Sequence, residues 1–319
     1  MAADQPNAAM LPAPAWRTRR RNVVLDRPFL LGILNVTPDS FSDGGRFEST
    51  EDAVAHARTM VAEGADAIDV GGESTRPQGA TPVSADEEIG RVVPIVVALR
   101  RQGDALISVD TTKSDVAAAA IEAGADIIND VSGFRLDPRM GEIAARTSAG
   151  VVLMHSRGSV SDMGTYKHAV YHDVVDEVIV ELEESLERAV TAGVRRDAIV
   201  LDPGIGFAKR SEHSLRVLNA LPKITALGFP VLVGVSRKRF VGELANAETP
   251  DERTAGTIGA NVAALMRGAL LFRVHDVAPN RQALDVAWGV LRAGTAKGDP
   301  ATKTDRQRLG SQFPVPGSQ

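Results

Sequence analysis

Short apolar runs alternate with longer amphipathic segments along most of the chain. A glycine stands before successive apolar runs, at positions 64, 103, 124, 150, 193, 228 and 268. Glycine just past a helix end is the usual left-handed cap, so each of these positions indicates the end of a helix. The apolar runs that follow, with one more in front, predict eight strands, at 29–34, 67–70, 106–109, 127–128, 151–154, 199–201, 231–235 and 270–274.

The segments between these strands have helical patterns. Ser84 with Glu87 forms a capping box, and Asp137 before Pro138 is an N-cap followed by proline at the first helical position. We expect helices at 51–63, 86–101, 114–123, 138–147, 174–192, 211–221, 254–267 and 278–291. Such alternation is typical of a parallel sheet. Eight units without a dinucleotide-binding fingerprint favour an α/β fold, a single (β/α)8 TIM barrel with its active site at the C-terminal ends of the strands.

The composition excludes several classes of protein. The chain has 319 residues and a net charge of −5, so its charge gives no general attraction to nucleic acid or acidic membranes. It has no cysteine, which excludes disulfides, thiolate metal sites and cysteine nucleophiles and fits a cytoplasmic protein. No apolar run reaches the roughly 18 residues of a membrane span. We therefore expect neither nucleic acid nor a membrane as a partner.

Both ends of the chain differ in composition from the alternating region. Residues 1–21 are rich in alanine and proline and then basic, the reverse of the order in a signal peptide. Residues 297–319 are polar, with proline and glycine. We interpret both segments as disordered extensions of one barrel domain at 22–296, because neither has the apolar content to pack on it. Removal of residues 1–21 should then leave the melting temperature unchanged.

The predicted strands all end in polar residues. The first strand becomes a polar, glycine-rich loop at Asn35, with Pro38, Gly44 and Gly45 in it. A polar loop carried by a rigid strand is where binding residues collect. The residues at or just past the strand ends are Asn35, the segment 69–75, Asp110, Asn129, His155, Asp202, Ser236 and the pair Arg273 and His275. So many hydrogen-bonding groups at one barrel mouth predict a binding site.

Asp110, Asn129 and Asp202 form the first group of candidate residues. Two carboxylates and an amide around a dry pocket suit a flat heterocycle that has several N–H donors. Capping of a following helix is an alternative for Asp110 and Asn129, and is less suited to Asp202, which precedes Pro203 and Gly204. Metal-assisted acid–base chemistry by the two carboxylates is a further alternative.

A second group is cationic. Arg237 and Lys238 directly follow a predicted strand, so their backbone should lie at the mouth. Cations from several strand ends suit an anionic leaving group such as diphosphate, although a solvated basic rim is an alternative for Lys209 and Arg239. The sequence contains no P-loop pattern. The members of the group are Arg76, Lys209, Arg237, Lys238, Arg273 and His275.

The third group is Phe41, Pro77 and Ser236. An aromatic ring and a proline from two neighbouring loops could hold a small aromatic ring between them, and Ser236 could bind its carboxylate. Simple packing is the alternative for a loop phenylalanine. His155 could act as a base, but a supporting role, hydrogen-bonded behind the residues that contact the ligand, is favoured.

Eight motifs in order resemble those of the dihydropteroate synthase family. The first two are G-I-L-N-V-T-P-D-S-F-S-D-G-G at 32–45 and D-V-G-G-E-S-T-R-P at 69–77. The others are S-V-D-T at 108–111, I-I-N-D at 127–130, L-M-H at 153–155, L-D-P-G-I-G-F-A-K at 201–209, V-S-R-K at 235–238 and R-V-H-D at 273–276. This resemblance implies a homodimeric transferase that condenses 6-hydroxymethyl-7,8-dihydropterin diphosphate with 4-aminobenzoate in folate biosynthesis.

The resemblance also implies roles for individual residues. The catalytic set would be Asn35, Asp110, Lys238, Arg273 and His275. The pterin would be bound by Asp110, Asn129, Met154, Asp202, Lys238 and Arg273. The diphosphate would be bound by Asn35, Thr75, Arg76, Arg273 and His275, with Asn35 also linked to Mg²⁺. The 4-aminobenzoate would be bound by Phe41, Pro77 and Ser236, and its amine would attack as diphosphate departs.

The sequence departs from the family pattern at two places. Gln78 lies between Pro77 and Gly79, where the family has an uninterrupted Arg-Pro-Gly-Ala, and it lengthens the loop beside the 4-aminobenzoate site. Arg157 stands where relatives often have a larger residue at the edge of the pocket. The alternatives are a pterin-binding methyltransferase, which would lack the cations at 235–238 and 273–276, and an inert paralogue, which would have lost Asn35, Lys238 or Arg273.

Overall fold

The computed structural model describes residues 14–36, 50–73 and 83–295 of the chain. Its strands are β1 Ala15–Arg17, β2 Asn22–Val24, β3 Phe29–Asn35, β4 Ala67–Gly71, β5 Leu106–Asp110, β6 Ile127–Asp130, β7 Gly150–Met154, β8 Ile199–Asp202, β9 Leu232–Val233 and β10 Leu271–Val274. No helix within the described ranges has the length and apolar character needed to cross a membrane.

The helices follow the strands in the predicted alternation. They are α1 Thr50–Ala62, α2 Ala85–Gln102, α3 Ser114–Ala123, α4 Met140–Thr147, α5 Val160–Met163, α6 Val174–Thr191, α7 Ser211–Asn219, α8 Leu221–Thr225, α9 Arg239–Ala245, α10 Thr254–Leu265 and α11 Val277–Thr295. The predicted cap of α2 is confirmed, because the Ser84 hydroxyl accepts a hydrogen bond from the Glu87 N–H at 3.2 Å. The short helices α5, α8 and α9 were not predicted.

Strands β3 to β10 form one parallel sheet that closes on itself. Their order is β8, β7, β6, β5, β4, β3, β10 and β9, and every pairing is parallel. A parallel bridge between Leu201 and Val231 joins β8 to the start of the ninth strand. The Leu201 N–H also donates to the Pro230 carbonyl at 3.0 Å. The predicted (β/α)8 barrel is therefore confirmed.

The barrel interior changes from apolar to polar along each strand. The lower layer is an apolar cluster made of Phe29, Leu31, Ala67, Leu106, Ile127, Val152, Val200, Leu232 and Leu271. Side chains two residues apart in a strand share a face, so the positions two and four further on also point inward. Those positions include Asn35, Asp69, Asp110, Asn129, Asp202, Ser236, Arg273 and His275. The site residues therefore share one interior surface, above an apolar floor.

The N-terminal segment corrects one of our predictions. Residues 14–21, assigned above to a disordered extension, include β1, which pairs with β2 as an antiparallel hairpin. Trp16 in β1 is fully buried in the lower apolar layer, its indole N–H donates to the Ala198 carbonyl at 2.9 Å, and its ring packs edge to face on Phe29. Arg20 donates to buried Asp126 at 2.6 Å. The prediction failed because it rested on the average composition of the segment. A single large apolar side chain, Trp16, is enough to attach the segment to the open base of the barrel.

Residues 1–13 and the tail at 297–319 lie outside the described residues. The expectation that removal of residues 1–21 leaves the melting temperature unchanged no longer fits, because that deletion includes Trp16 and its hydrogen bond.

We expect Trp16→Ala to lower the free energy of unfolding by about 3–5 kcal/mol, the usual cost of emptying a buried aromatic site. Urea denaturation of the purified protein measures this. Val24→Ala, in the same hairpin but at a position that is 58% exposed, is the matched control and should change stability by about 0.5 kcal/mol or less. Equal losses in the two variants would show that the hairpin does not close the barrel.

Candidate active site

Arg273 lies at the centre of the polar end of the barrel. Its Nε donates to Asp69 Oδ2 at 2.6 Å, and one terminal nitrogen donates to Asp110 Oδ2 at 2.7 Å. Asp69 is fully buried, and 15% of the Asp110 side chain is exposed. One guanidinium therefore joins a carboxylate inside the barrel to a carboxylate at its mouth, which fixes the direction in which Arg273 points.

Asp69 is the residue whose importance the sequence analysis missed. It appeared there only as the first member of a polar segment, yet its Oδ2 accepts from both Arg273 and Asn129 Nδ2, the latter at 3.0 Å. Asp69 lies two residues after Ala67 of the lower layer, so the inward periodicity of β4 could have identified it. Because Asn129 donates to Asp69 and Asp110 accepts from Arg273, the helix-capping alternative for these two residues is not supported.

Burial changes the acidity of the carboxylates at this mouth. Burial raises the pKa of Asp110 to about 7, and the positive charge of Arg273 opposes that rise. Asp202 is 5% exposed, and burial raises its pKa also, against the charge of Lys238. The Asp202 Oδ1 accepts from the Gly204 N–H at 2.7 Å, which orients the carboxylate. A cationic or N–H-donating partner stabilises the ionised form of each of these buried carboxylates.

Lys238 lies opposite Asp202 and is held by the turn that follows β8. Its Nζ donates to the Ile205 carbonyl and lies 4.1 Å from the centre of the Phe207 ring. A side chain at Gly206 would meet Lys238 Cδ at 2.9 Å, so glycine there leaves room for the lysine. Burial lowers the pKa of Lys238 to about 7, against the charge of Asp202. The predicted position of Lys238 at the mouth is confirmed.

The other two predicted cations of this region point elsewhere. Arg237 has a left-handed backbone with φ of 59°, and its guanidinium donates to Asp276 and Asp251. Lys209, predicted to bind an anion or to lie on a solvated rim, is 1% exposed. The solvated-rim alternative for Lys209 is therefore wrong, whereas anion binding by Arg237 or Lys209 stays a prediction.

His155 has the hydrogen-bonded role that the sequence analysis favoured. It is 2% exposed, its Nε2 lies 3.0 Å from Glu181 Oε2, and its Nδ1 lies 2.7 Å from Lys209 Nζ. Burial, followed by the charge of Lys209, lowers the pKa of His155 to about 4. Met154 beside it is 3% exposed and packs with Val131 and Met163 in a small apolar cluster.

Ser236 and His275 are in direct contact. The Ser236 hydroxyl lies 2.9 Å from His275 Nδ1 and accepts from the His275 backbone N–H at 3.2 Å. The two residues were assigned above to different ligands, Ser236 to an aromatic carboxylate and His275 to diphosphate. The two side chains therefore lie next to each other beyond the ends of β9 and β10.

Asn35 lies at the end of β3, in register with Gly71, which is in turn in register with Asp110. A side chain at Gly71 would lie 3.8 Å from Asn35 Oδ1 and 3.7 Å from Asp110 Oδ2. Glycine therefore leaves a space between an amide oxygen and a carboxylate oxygen. Within the described ranges, no group of three or more histidine, aspartate or glutamate side chains is placed to hold a metal ion.

Four predicted site residues, Phe41, Thr75, Arg76 and Pro77, lie outside the described residues, as does Gln78. Residues 75–78 belong to the segment between Glu73 and Val83, and the structure describes both of these end residues. Glu73 Oε1 accepts from the Val83 N–H at 3.0 Å, and Lys113 donates to Glu73 at 2.9 Å and to Glu88 at 2.6 Å. These contacts fix the two ends of that segment beside β4.

The chain is similar to pterin binding enzymes both in sequence and in fold. The family model for pterin binding enzymes matches residues 31–275. The chain is 47% identical over 270 residues to the dihydropteroate synthase of Mycobacterium leprae, which covers 83% of this chain and 94% of that protein. Among solved structures, it resembles the Xanthomonas albilineans dihydropteroate synthase with 4-aminobenzoic acid, with a TM-score of 0.81, 45% identity, and coverage of 88% of this chain and 99% of the other. The same enzyme in complex with 7,8-dihydropteroate gives a TM-score of 0.78 at 43% identity, with coverage of 88% and 99%.

Proposed function

The chain belongs to the pterin-binding enzyme family, as a dihydropteroate synthase, and we propose that the residues described above carry its reaction. That reaction joins 6-hydroxymethyl-7,8-dihydropterin diphosphate to 4-aminobenzoate. A C–N bond forms between the arylamine and the pterin methylene carbon, the C–O bond to diphosphate breaks, and the amine loses a proton. The pairing of buried carboxylates with cations at one barrel mouth is the observation that supports this assignment most directly.

The pterin is bound by the carboxylates and the amide. A dihydropterin presents an amino group and a ring N–H as parallel donors, and a carboxylate can accept from both at once. Asp202, held by the Gly204 N–H, is suited to that pair. Asp110 and Asn129 lie at the ends of neighbouring strands and are oriented by Arg273 and Asp69, respectively. The Asp110 carboxylate accepts hydrogen bonds from the remaining edge of the pterin ring, and the Asn129 amide accepts from or donates to it. Met154 packs beneath the ring.

The diphosphate is bound by the cationic side of the mouth. Arg273 and His275 place donors where negative charge develops as the C–O bond breaks, which lowers the barrier. Lys238, assigned to the pterin, adds a positive charge near the leaving group. Asn35 fits one ligand position of Mg²⁺, an ion that takes oxygen ligands and keeps several waters when it binds a diphosphate. Bound Mg²⁺ would neutralise charge on the leaving diphosphate. Thr75 and Arg76 belong to this side by the family resemblance.

The 4-aminobenzoate is bound at Ser236, with Phe41 and Pro77 on the ring. The Ser236 hydroxyl, which lies 2.9 Å from His275 Nδ1, donates its proton to the carboxylate of the substrate. That arrangement directs the amine toward the methylene carbon beside the diphosphate.

A coupled assay for diphosphate release, run with and without 4-aminobenzoate, tests the function. We expect release only when both substrates are present. Release that is independent of 4-aminobenzoate would indicate hydrolysis of the pterin diphosphate by water, and pterin binding without turnover would indicate an inert paralogue.

Lys238→Ala is expected to raise KM for the pterin diphosphate and to lower kcat, with kcat/KM falling roughly 10- to 100-fold, because it removes a cation beside the leaving group. Arg239→Ala is the matched control: Arg239 is exposed and its guanidinium lies 4.8 Å from the Tyr166 ring. If steady-state kinetics rank Arg239→Ala as the more damaging change, the placement of the anion site is wrong.

We also propose that the protein is a homodimer. A groove of about 420 Å³ on the outer surface is bordered by α7, α9 and α10, and the exposed apolar residues Leu215, Leu244 and Met266 lie along these elements or just beyond them. An apolar surface of this kind marks a contact with another protein. Sedimentation of the wild type and of Leu244→Asp tests it: we expect dimer for the first and monomer for the second, and a monomeric wild type would contradict the proposal.

A further inference from the structure

Lys209 is a fully buried cation that does not reach the mouth of the barrel. Its Nζ lies 2.7 Å from His155 Nδ1, 3.1 Å from the Gly204 carbonyl and 3.2 Å from the Phe207 carbonyl. Three acceptors match the three N–H bonds of an ammonium group. A neutral amine would have two donors and would turn its lone pair toward one of these acceptors. Burial lowers the pKa of Lys209 well below its ordinary value, and the negative charge of Asp202 opposes that decrease. The three acceptors around Nζ nevertheless match an ammonium group, and this hydrogen-bond geometry is the basis for treating Lys209 as charged.

The same contacts fix the state of His155. Nδ1 accepts from Lys209, so the ring proton lies on Nε2 and is donated to Glu181 Oε2 at 3.0 Å. Glu181 in turn accepts from Arg157 Nε at 2.9 Å, and Arg157 also donates to Glu177 at 2.8 Å. Lys209, His155 and Glu181 thus form a continuous hydrogen-bonded series, called here the Lys209 series, that extends from the turn after β8 to the side of α6.

The turn that Lys209 contacts is strained. Gly204, Gly206 and Ala208 all have positive φ, of 66°, 78° and 47°. Ala208 is not a glycine, so this conformation costs about 1 kcal/mol or more and persists only where its surroundings hold it. The Ala208 N–H donates to the Met163 carbonyl at 2.7 Å, and Tyr171 donates to the Ala208 carbonyl at 3.0 Å.

This turn contacts two of the residues assigned to the pterin, Asp202 and Lys238. The Gly204 N–H orients Asp202, while the Ile205 carbonyl and the Phe207 ring hold Lys238. Lys209 binds the carbonyls of Gly204 and Phe207, on either side of Ile205. A change in those carbonyls would therefore move both the carboxylate and the ammonium that face the pterin.

We propose that Lys209 is a positioning residue for the pterin site, which acts by holding the 203–208 turn with neutral His155 as its third acceptor. The proposal rests on the proposed function. It predicts that loss of the Lys209 donors affects the pterin substrate, whereas 4-aminobenzoate, bound at the end of β9, is affected little.

Lys209→Met keeps the length of the side chain and removes its donors. We expect KM for the pterin diphosphate to rise about tenfold or more, since three buried acceptors lose their partner, and KM for 4-aminobenzoate to stay within about twofold. Lys223→Met, at a side chain that is 63% exposed and 3.4 Å from Asp176, is the control and should change neither constant by more than about twofold. Equal rises for both substrates, or a lower melting temperature with unchanged KM, would overturn the proposal.

Nitrogen-15 NMR of the histidine rings in the wild-type protein tests the proposal even if Lys209→Met does not fold. His155→Gln identifies the signals of His155. We expect a neutral ring with its proton on Nε2 from about pH 5.5 to pH 8, since its pKa lies well below that range. A proton on Nδ1, or titration near pH 6.5, would show that Lys209 is not the donor. Inactive wild-type enzyme would count against the proposed function and would leave this measurement interpretable.

Discussion

Arg273→Met is expected to reduce kcat/KM by roughly 100- to 1,000-fold, the usual effect of removing one charge-stabilising donor from an active site. The variant should also be less stable without ligand. Arg273 is the cation between Asp69 and Asp110, and loss of one partner of a buried ion pair costs about 3–5 kcal/mol. Asp69 Oδ1 has no hydrogen-bond partner in the described part of the chain, so Asp69 depends on Arg273 and Asn129.

The stability loss of Arg273→Met should depend on pH. Burial raises the pKa of Asp110 to about 7, and the positive charge of Arg273 limits that rise. Without this charge, the pKa of Asp110 in the variant should be higher than in the wild type. A carboxyl group whose folded pKa is raised stabilises the fold below its unfolded pKa, and that contribution is lost as pH rises through the folded pKa. The difference in melting temperature between wild type and variant should therefore be small near pH 5 and large near pH 8.

Melting curves at several pH values, with diphosphate-release kinetics, test both parts of this prediction. Arg139→Met is the matched control, because 60% of the Arg139 side chain is exposed and it pairs with Asp115 on the surface at 2.9 Å. A loss of stability that does not change with pH would show that the guanidinium matters for packing and not for charge.

Asp202→Asn is expected to weaken pterin binding by roughly ten- to several-hundred-fold, since an unsatisfied buried donor costs about 1–3 kcal/mol and each 1.4 kcal/mol is a factor of ten. Asparagine has nearly the same size. The amide oxygen can still accept from the Gly204 N–H. The NH₂ group then takes the place of the second carboxylate oxygen, so a donor of the pterin meets another donor instead of an acceptor. Stability without ligand should change little or rise, because burial raises the pKa of Asp202 and an ionised carboxylate is costly there.

Calorimetric titration with the pterin substrate, with melting curves of the ligand-free proteins, measures both quantities. Asp197→Asn is the control, as 48% of that side chain is exposed and it pairs with Arg195 on the surface. Unchanged pterin affinity, or a collapse of ligand-free stability, would mean that Asp202 is a structural residue.

The strands and most helices were predictable because burial and helix ends leave local patterns. The apolar runs and the glycines before them placed the eight barrel strands within a few residues, and Ser84 marked the start of α2. The polar ends of the strands placed Asn35, Asp110, Asn129, Asp202 and Arg273 on one mouth. The period of two within each strand also determines that these side chains point inward, and this periodicity would have identified Asp69.

The directions and partners of individual charged side chains were decided only by the tertiary structure. Arg237 and Lys238 are adjacent in sequence, yet Arg237 reaches Asp276 and Asp251 while Lys238 faces Asp202. Lys209 became a buried donor because carbonyls of a strained turn and His155 surround it. Trp16 is ordered because the base of the barrel is an apolar opening that matches an indole ring. Each of these side chains has at least one partner that is distant in sequence: Asp276 for Arg237, His155 for Lys209 and Ala198 for Trp16. The local sequence pattern does not identify such partners.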